Sequence, residues 1–236
     1  MSAGQGLSLA LLALAWLGYG VLHSLLASHA LKRWVELHAA ALFPAYRLVY
    51  NAVAVLLLVP IAWLVLSHRG PLLWAWTGPA HWLAHALALG AVAALLVSFR
   101  YYDGGEFLGS RQWRERGRHQ AQRKACLRLS PLHRYVRHPW YSASLVLIWT
   151  RDMDAAMLVS AVMVSAYFVV GARLEETKLI VEFGAAYRHY MTRVAGLLPL
   201  PGRTMSAGEA ARIEAMAISG QQPDQPTQSA EPSERA

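Results

Sequence analysis

The chain has 236 residues, with 22 Lys and Arg against 14 Asp and Glu, for a formal charge of +8. That size fits one or two soluble domains, and the basic balance invites nucleic acid as a partner. The placement of the charges excludes both, because no Asp, Glu, Lys or Arg occurs from Met1 to Leu31, from Leu48 to His68 or from Gly70 to Phe99.

Each of these runs holds a helix of about 20 residues, enough to cross a hydrocarbon core of roughly 30 Å. The pattern is that of an all-α, polytopic membrane protein. The first span is read at Leu7–Leu26. No Lys or Arg precedes it, so it lacks the positive flank of a signal peptide and is expected to be retained. The second span is Leu48–Leu66, with Pro60 as a possible bend. The third is Trp82–Phe99, after which Gly104-Gly105 reads as a turn.

The long loop from Arg100 to Arg137 carries ten basic residues against Asp103, Glu106 and Glu115. Loop one is basic as well, through Lys32, Arg33 and Arg47. The remaining connections offer only Arg69 and, with Asp152 and Asp154, Arg151. Basic loops alternating with poor ones place the basic ones in the cytoplasm, with the N-terminus outside and the C-terminus inside a bacterial inner membrane. The same charges attract anionic lipid headgroups, so the high isoelectric point needs no nucleic acid. Cys126 is the single cysteine, which excludes an internal disulfide and a cysteine-pair redox motif.

Spans four and five are expected at Tyr141–Thr150 and Ala155–Ala172. The fourth is short, and the alternative is a hairpin that turns at Arg151–Asp154 before reaching the far surface. In either case the short connection makes the two antiparallel neighbours. Two polar clusters, Arg137–Tyr141 and Arg173–Glu176, are thereby predicted at one end. Leu179, Ile180, Phe183, Tyr187 and Tyr190 then form one apolar-aromatic helical face, expected along the membrane surface with a break at Gly184. Residues 1–202 form the membrane domain. Residues 203–236 form a polar tail, largely disordered, with Ala207–Ala217 as a possible short helix.

The run Arg134-Tyr135-Val136-Arg137-His138-Pro139-Trp140-Tyr141, followed by a hairpin and by Glu175-Glu176, Leu179, Phe183-Gly184, Tyr187, Tyr190, Val194 and Pro199, resembles the isoprenylcysteine carboxyl methyltransferase and phospholipid methyltransferase superfamily. At the front of the chain, His23-Ser24, Ser28, Lys32-Arg33-Trp34 and Tyr46-Arg47-Leu48-Val49-Tyr50-Asn51 look like one bacterial branch. That branch holds the methanethiol S-methyltransferases and the membrane proteins named for nitrite and nitric oxide reduction. The resemblance implies an integral-membrane enzyme that uses S-adenosyl-L-methionine without a Rossmann domain.

A sulfonium methyl donor carries a carboxylate, which suits Arg137, and a cation, which suits Tyr141, Tyr187 or one of Glu175 and Glu176. His138 could bind the adenine edge or the carboxylate, or accept the substrate proton. The candidate cofactor-binding residues are therefore Arg137, His138, Tyr141, Glu175, Glu176 and Tyr187, and the candidate catalytic side chains His138, His23 and Glu176. His23 is ionisable at membrane depth, where such a residue has a functional role by default, and could position a thiol.

Each residue has a plainer reading. Arg137 and Glu176 could simply join two helix ends, and His138 could face headgroups. Tyr187 and Tyr190 could be interfacial belt aromatics, Arg134 a topology charge, and Asn51 an interhelical hydrogen-bonding residue. His81 and His85 have helical spacing for a metal but no nearby Cys, Asp or Glu, so no metal is expected. The expected substrate is a small thiol such as methanethiol or another lipophilic nucleophile. The alternatives are a prenylcysteine-type carboxylate, a lipid amine, or a non-enzymatic role.

Overall fold

The computed structural model describes residues 3–101, 103–115 and 126–220, and the described residues are helical throughout apart from turns and isolated bridges. The helices are α1 (Ala3–Ala27), α2 (His29–His38), α3 (Tyr46–Ser67), α4 (Gly78–Ser98), α5 (Gly104–Leu108) and α6 (Ser110–Arg114), followed by α7 (Pro139–Trp149), α8 (Ala155–Arg193) and α9 (Ala207–Ser219). By length and composition four segments can cross a membrane: Gly4–Ala27, Phe43–Ser67, Gly78–Tyr101 and Ala155–Arg193. The chain is an integral membrane protein. Side chains such as Leu14, Leu56 and Leu89 stand exposed along these helices, the surface that hydrocarbon covers.

Of the five expected spans, four are long and apolar enough among the described residues to cross by themselves, and the fourth in chain order is a shorter helix that forms a hairpin with α8. Helix α7 has 11 residues, about 16 Å at 1.5 Å per residue, half of what a bilayer core requires. Its start is fixed by Pro139 in the first turn, where the missing N–H costs nothing. Its end turns at Thr150, whose hydroxyl donates to the carbonyl of Val146 at 2.7 Å. The segment between α3 and α4 meets this turn. Leu73 N–H donates to Met153 O at 2.7 Å and Met153 N–H to Trp74 O at 3.0 Å, while the Asp152 carboxylate accepts from Trp76 N–H at 2.9 Å.

The chain divides into two compact units, residues 1–123 with 138–174, and residues 124–137 with 175–236. In the first, Leu12 of α1, Ile61 of α3 and Ala156 of α8 form a small core. Helix α4 packs along α7, and α1 along α3. Two local readings change here. Gly104-Gly105 opens helix α5, because the Asp103 carboxylate accepts from the N–H groups of Gly105 and Glu106 and supplies the cap. Loop one contains helix α2, capped in the same way by Ser28.

In the second unit Phe183, Tyr187, Tyr190, Val194, Met205, Ala210, Ile213 and Ala217 form one buried cluster. The expected break at Gly184 is present, with φ 53° and ψ −125°, a conformation that a Cβ disfavours. Helix α9 is capped by a reciprocal Ser206–Glu209 box, and Arg193 Nη2 donates to Glu209 Oε1 at 2.8 Å. The folded chain thus runs past Leu200 to Ser219. The remainder of the polar tail, 221–236, lies outside the described residues.

Candidate functional site

The predicted residues fall into three constellations. The first belongs to the second unit and centres on Arg137. The chain from 131 to 136 turns so that Val136 bridges Ala195 in parallel fashion, and Arg137 N–H donates to Ala195 O at 2.8 Å. This fixes the arginine backbone. Its guanidinium Nε donates to Glu176 Oε1 at 2.8 Å, with only 12% of either side chain exposed. Nη1 donates to the carbonyls of Met191 and Val194. Nη2 has no hydrogen bond among the described residues, and it faces Gly196, where an added Cβ would lie 3.3 Å away. Three of the five guanidinium N–H groups are therefore spent on the fold, and the two on Nη2 lie against Gly196, where a side chain would crowd them.

Glu176 is thus an ion-pair partner of Arg137, as the plainer reading had it, and its neighbour Glu175 is the second carboxylate of the cluster. Tyr187, 2% exposed, is packed among Phe183, Tyr190 and helix α9. Tyr190 donates to His133 O at 2.7 Å. Neither tyrosine is an interfacial belt residue, and the interfacial reading of these two positions is corrected. The cause is α9, which covers them. Arg134 is likewise more than a topology charge, because its Nε donates to Met205 O at 3.3 Å and its carbonyl accepts Met205 N–H at 3.1 Å.

The second constellation belongs to the first unit. His138, 6% exposed, precedes α7, and its carbonyl accepts from Ser142 Oγ at 2.9 Å. It does not face headgroups. Its ring stacks on Tyr141 with centroids 5.4 Å apart and planes 7° apart, and Tyr141 stacks on Phe168 of α8 at 4.7 Å and 4°. Three parallel rings form a π-rich column of the kind that attracts a cation. Phe168 was missed in the sequence. Its signal was present, since Tyr167 and Phe168 are the only aromatic residues between Ala155 and Ala172.

The third constellation is also in the first unit. His23 of α1 lies between Tyr50 of α3, whose hydroxyl is 2.6 Å from Nε2, and Tyr167 of α8, whose hydroxyl is 2.6 Å from Nδ1. Tyr19, one turn earlier on α1, stacks on the imidazole. Gly20 lies beside the Tyr167 ring, which would be 3.2 Å from an added Cβ, so the small residue lets α8 approach. Of the front-end cluster, Tyr50 belongs to this site and Tyr46 donates to the Leu26 carbonyl. Asn51 donates to the carbonyls of Phe107 and Leu108 at 3.2 and 3.1 Å, the interhelical role. His81 and His85 bond to the carbonyls of Trp76 and His81. Among the described residues no group of three metal-ligating side chains occurs.

No protein-family model matches the chain, and no solved structure does. Curated proteins do match. The chain is 31% identical over 192 residues to the methanethiol S-methyltransferase of Pseudomonas deceptionensis, covering 77% of this chain and 69% of that one. It is 32% identical over 187 residues to methanethiol S-methyltransferase 2 of Bradyrhizobium diazoefficiens, at 77% and 69% coverage. To the methanethiol S-methyltransferase of Mycobacterium tuberculosis it is 30% identical over 191 residues, at 78% and 75% coverage. Identity at this level, spread over more than two thirds of both chains, is shared descent: the chain belongs to the methanethiol S-methyltransferase family.

Proposed function

We propose that this protein is a membrane methyltransferase that uses S-adenosyl-L-methionine to methylate the sulfur of a small thiol, converting methanethiol to dimethyl sulfide. The observation that carries this reading is the similarity of 28–32% over 77–78% of the chain to proteins bearing that activity in their name. The cofactor, when bound, supplies an electrophilic methyl group on a sulfonium. The chain's own task is to align that methyl with the acceptor and to keep water away.

The donor set of the Arg137 cluster fits such a ligand. The open Nη2 beside Gly196 suits its carboxylate. Glu176 acts by holding the guanidinium in place, and its neighbour Glu175 is the carboxylate proposed for a ribose hydroxyl or the sulfonium. Tyr187 supports the cluster from the core beneath it. By their chemistry, Tyr141 is a candidate for the sulfonium, and His138 for the adenine edge, the carboxylate or the substrate proton. Calorimetric titration of S-adenosylhomocysteine into the wild type and the Arg137→Ala, Glu175→Ala, His138→Ala and Tyr141→Ala variants tests each assignment. Loss of a charged hydrogen bond costs roughly 2–4 kcal/mol, about 30-fold or more in affinity.

The resemblance to prenylcysteine carboxyl and phospholipid methyltransferases lies in residues 132–199 and supports a wider kinship as a proposal. Residues 1–202 carry the activity, and 203–236 take no part in it. The proposed orientation is N-terminus outside and C-terminus inside the bacterial inner membrane. The α7–α8 turn would then lie on the outer side with the α3–α4 connection that it pairs with. Reporter fusions test this, and a C-terminal fusion active only outside the cytoplasm refutes it.

The deciding assay incubates membranes carrying the protein with S-adenosylmethionine and methanethiol and measures dimethyl sulfide in the headspace. Turnover of a prenylated thioether carboxylate or a lipid amine in place of methanethiol would replace the acceptor.

A further inference from the structure

Two tyrosines share one imidazole inside the first unit. Tyr50 Oη lies 2.6 Å from His23 Nε2, and Tyr167 Oη lies 2.6 Å from Nδ1. A neutral imidazole accepts at one nitrogen and donates at the other. In either tautomer, one tyrosine donates to the ring and the other accepts from it. The accepting tyrosine keeps its own O–H, and outside the imidazole neither Tyr50 nor Tyr167 has a hydrogen-bond partner among the described residues. The cluster therefore presents a spare hydroxyl donor. His23 is four residues from the end of α1 at Ala27, about 6 Å along the helix axis, where an unused donor is costly.

A groove whose lining reaches to within one helical turn of the cluster on α8 points to what uses it. About 450 Å³ lie between α1, α3, α7 and α8, lined mainly by apolar side chains such as Trp16, Leu58, Ile61, Ile148 and Val164, with Arg69 beyond the end of α3 as the one charged residue of the lining. Its internal polar pair is satisfied, with Trp16 Nε1 donating to Ser160 Oγ at 3.0 Å. Trp16 packs edge-on against Tyr19 at 5.8 Å, and Tyr19 stacks on His23 at 5.5 Å. Val164 is one turn from Tyr167 on α8. Along the apolar part of these walls, between Trp16 and Val164, a small uncharged molecule is favoured over an ion. A thiol arrives through them protonated and must lose its proton at the site.

We propose that Tyr50, His23 and Tyr167 form a proton relay for the acceptor thiol, whose sulfur is held by the spare tyrosine hydroxyl. This rests on the thiol-methylating reading above. The S–H bond breaks as its proton passes to the oxygen of the tyrosine that donates to the ring, and that tyrosine's own proton moves to the imidazole nitrogen. The result is a thiolate, an imidazolium and two neutral tyrosines. The imidazolium donates from both nitrogens, so both phenol hydrogens are released and either can bond the thiolate. The sulfur's electron pair is then free to take a methyl group from a sulfonium donor, and the proton on His23 leaves to water once per turnover.

The test uses the full-length protein in lipid nanodiscs and the variant His23→Gln, which keeps hydrogen-bonding groups but cannot become a cation. Turnover of methanethiol should fall at least about 100-fold in kcat, the usual size of general-base loss. Turnover of methaneselenol, already anionic at neutral pH, should fall by no more than a few-fold, and S-adenosylhomocysteine binding should be unchanged. A second measurement needs no methyl donor. Methanethiol added to wild-type protein should develop the ultraviolet absorption of a thiolate, which His23→Gln and the double variant Tyr50→Phe/Tyr167→Phe should lack. Equal losses with thiol and selenol, or wild-type-like methanethiol turnover by His23→Gln, would overturn the relay. Wild-type protein that methylates neither acceptor overturns the proposed function, and the thiolate absorption then decides the relay by itself.

Discussion

Removing Glu176 is the most informative perturbation of the second unit. Its carboxylate meets Arg137 Nε at 2.8 Å with 12% of each side chain exposed. Glu176→Ala leaves a guanidinium in a nearly closed site, held among the described residues by the Met191 and Val194 carbonyls. Breaking a buried pair from one side costs about 3–5 kcal/mol. The two surviving carbonyl contacts place this case near about 3 kcal/mol, roughly a 150-fold shift of the folding equilibrium. Removing both charges together, as in Arg137→Ala/Glu176→Ala, should cost less than the sum of the single changes, because no uncompensated charge then remains. Limited proteolysis in detergent, followed against denaturant, gives the stability of this part of the chain for all four members of the cycle. A loss below about 1 kcal/mol for Glu176→Ala, as for an exposed pair, or strict additivity across the cycle would refute the reasoning.

Gly184→Ala should destabilise by about 1–3 kcal/mol, a purely backbone effect, because nothing lies within 4 Å of the added Cβ; thermal unfolding measures it. Gly109→Ala should be the harsher change, since its φ is 88° and the new Cβ would meet Arg47 Cβ at 2.7 Å and Leu48 N at 2.9 Å; protease cleavage near α5 and α6 should rise. The cap of α9 should be acid-sensitive. The backbone and hydroxyl of Ser206, then Arg193, hold the Glu209 carboxyl below its ordinary value. Its contribution is therefore complete above the unfolded value near about 4.3 and is lost as pH falls through the lower folded one. Hydrogen exchange at the Ser206 and Glu209 amides should accelerate in that range, and Glu209→Gln should remove the pH dependence.

Some features were legible in the sequence because they depend on one segment at a time. Three charge-free runs fix three membrane helices, since length and apolarity suffice for hydrocarbon. Pro139 fixes the start of α7 and Gly184 the break in α8, because both act through their own backbone torsions. The adjacency of Arg137 and Glu176 also followed, from a turn too short for anything but an antiparallel hairpin.

What the sequence could not decide depends on meetings between distant segments. Helix α7 is short for a span, and only the bridge between Trp74 and Met153 shows that its far end meets the α3–α4 connection. Tyr187 and Tyr190 have the periodicity of an exposed aromatic face, and α9, with Val194 and Met205, turns that face into core. His23 carried an open role until α1, α3 and α8 closed around it. Local pattern specifies which residues share a face, whereas the partner of that face is set by packing across as many as 144 positions, as between His23 and Tyr167, and no periodicity encodes that.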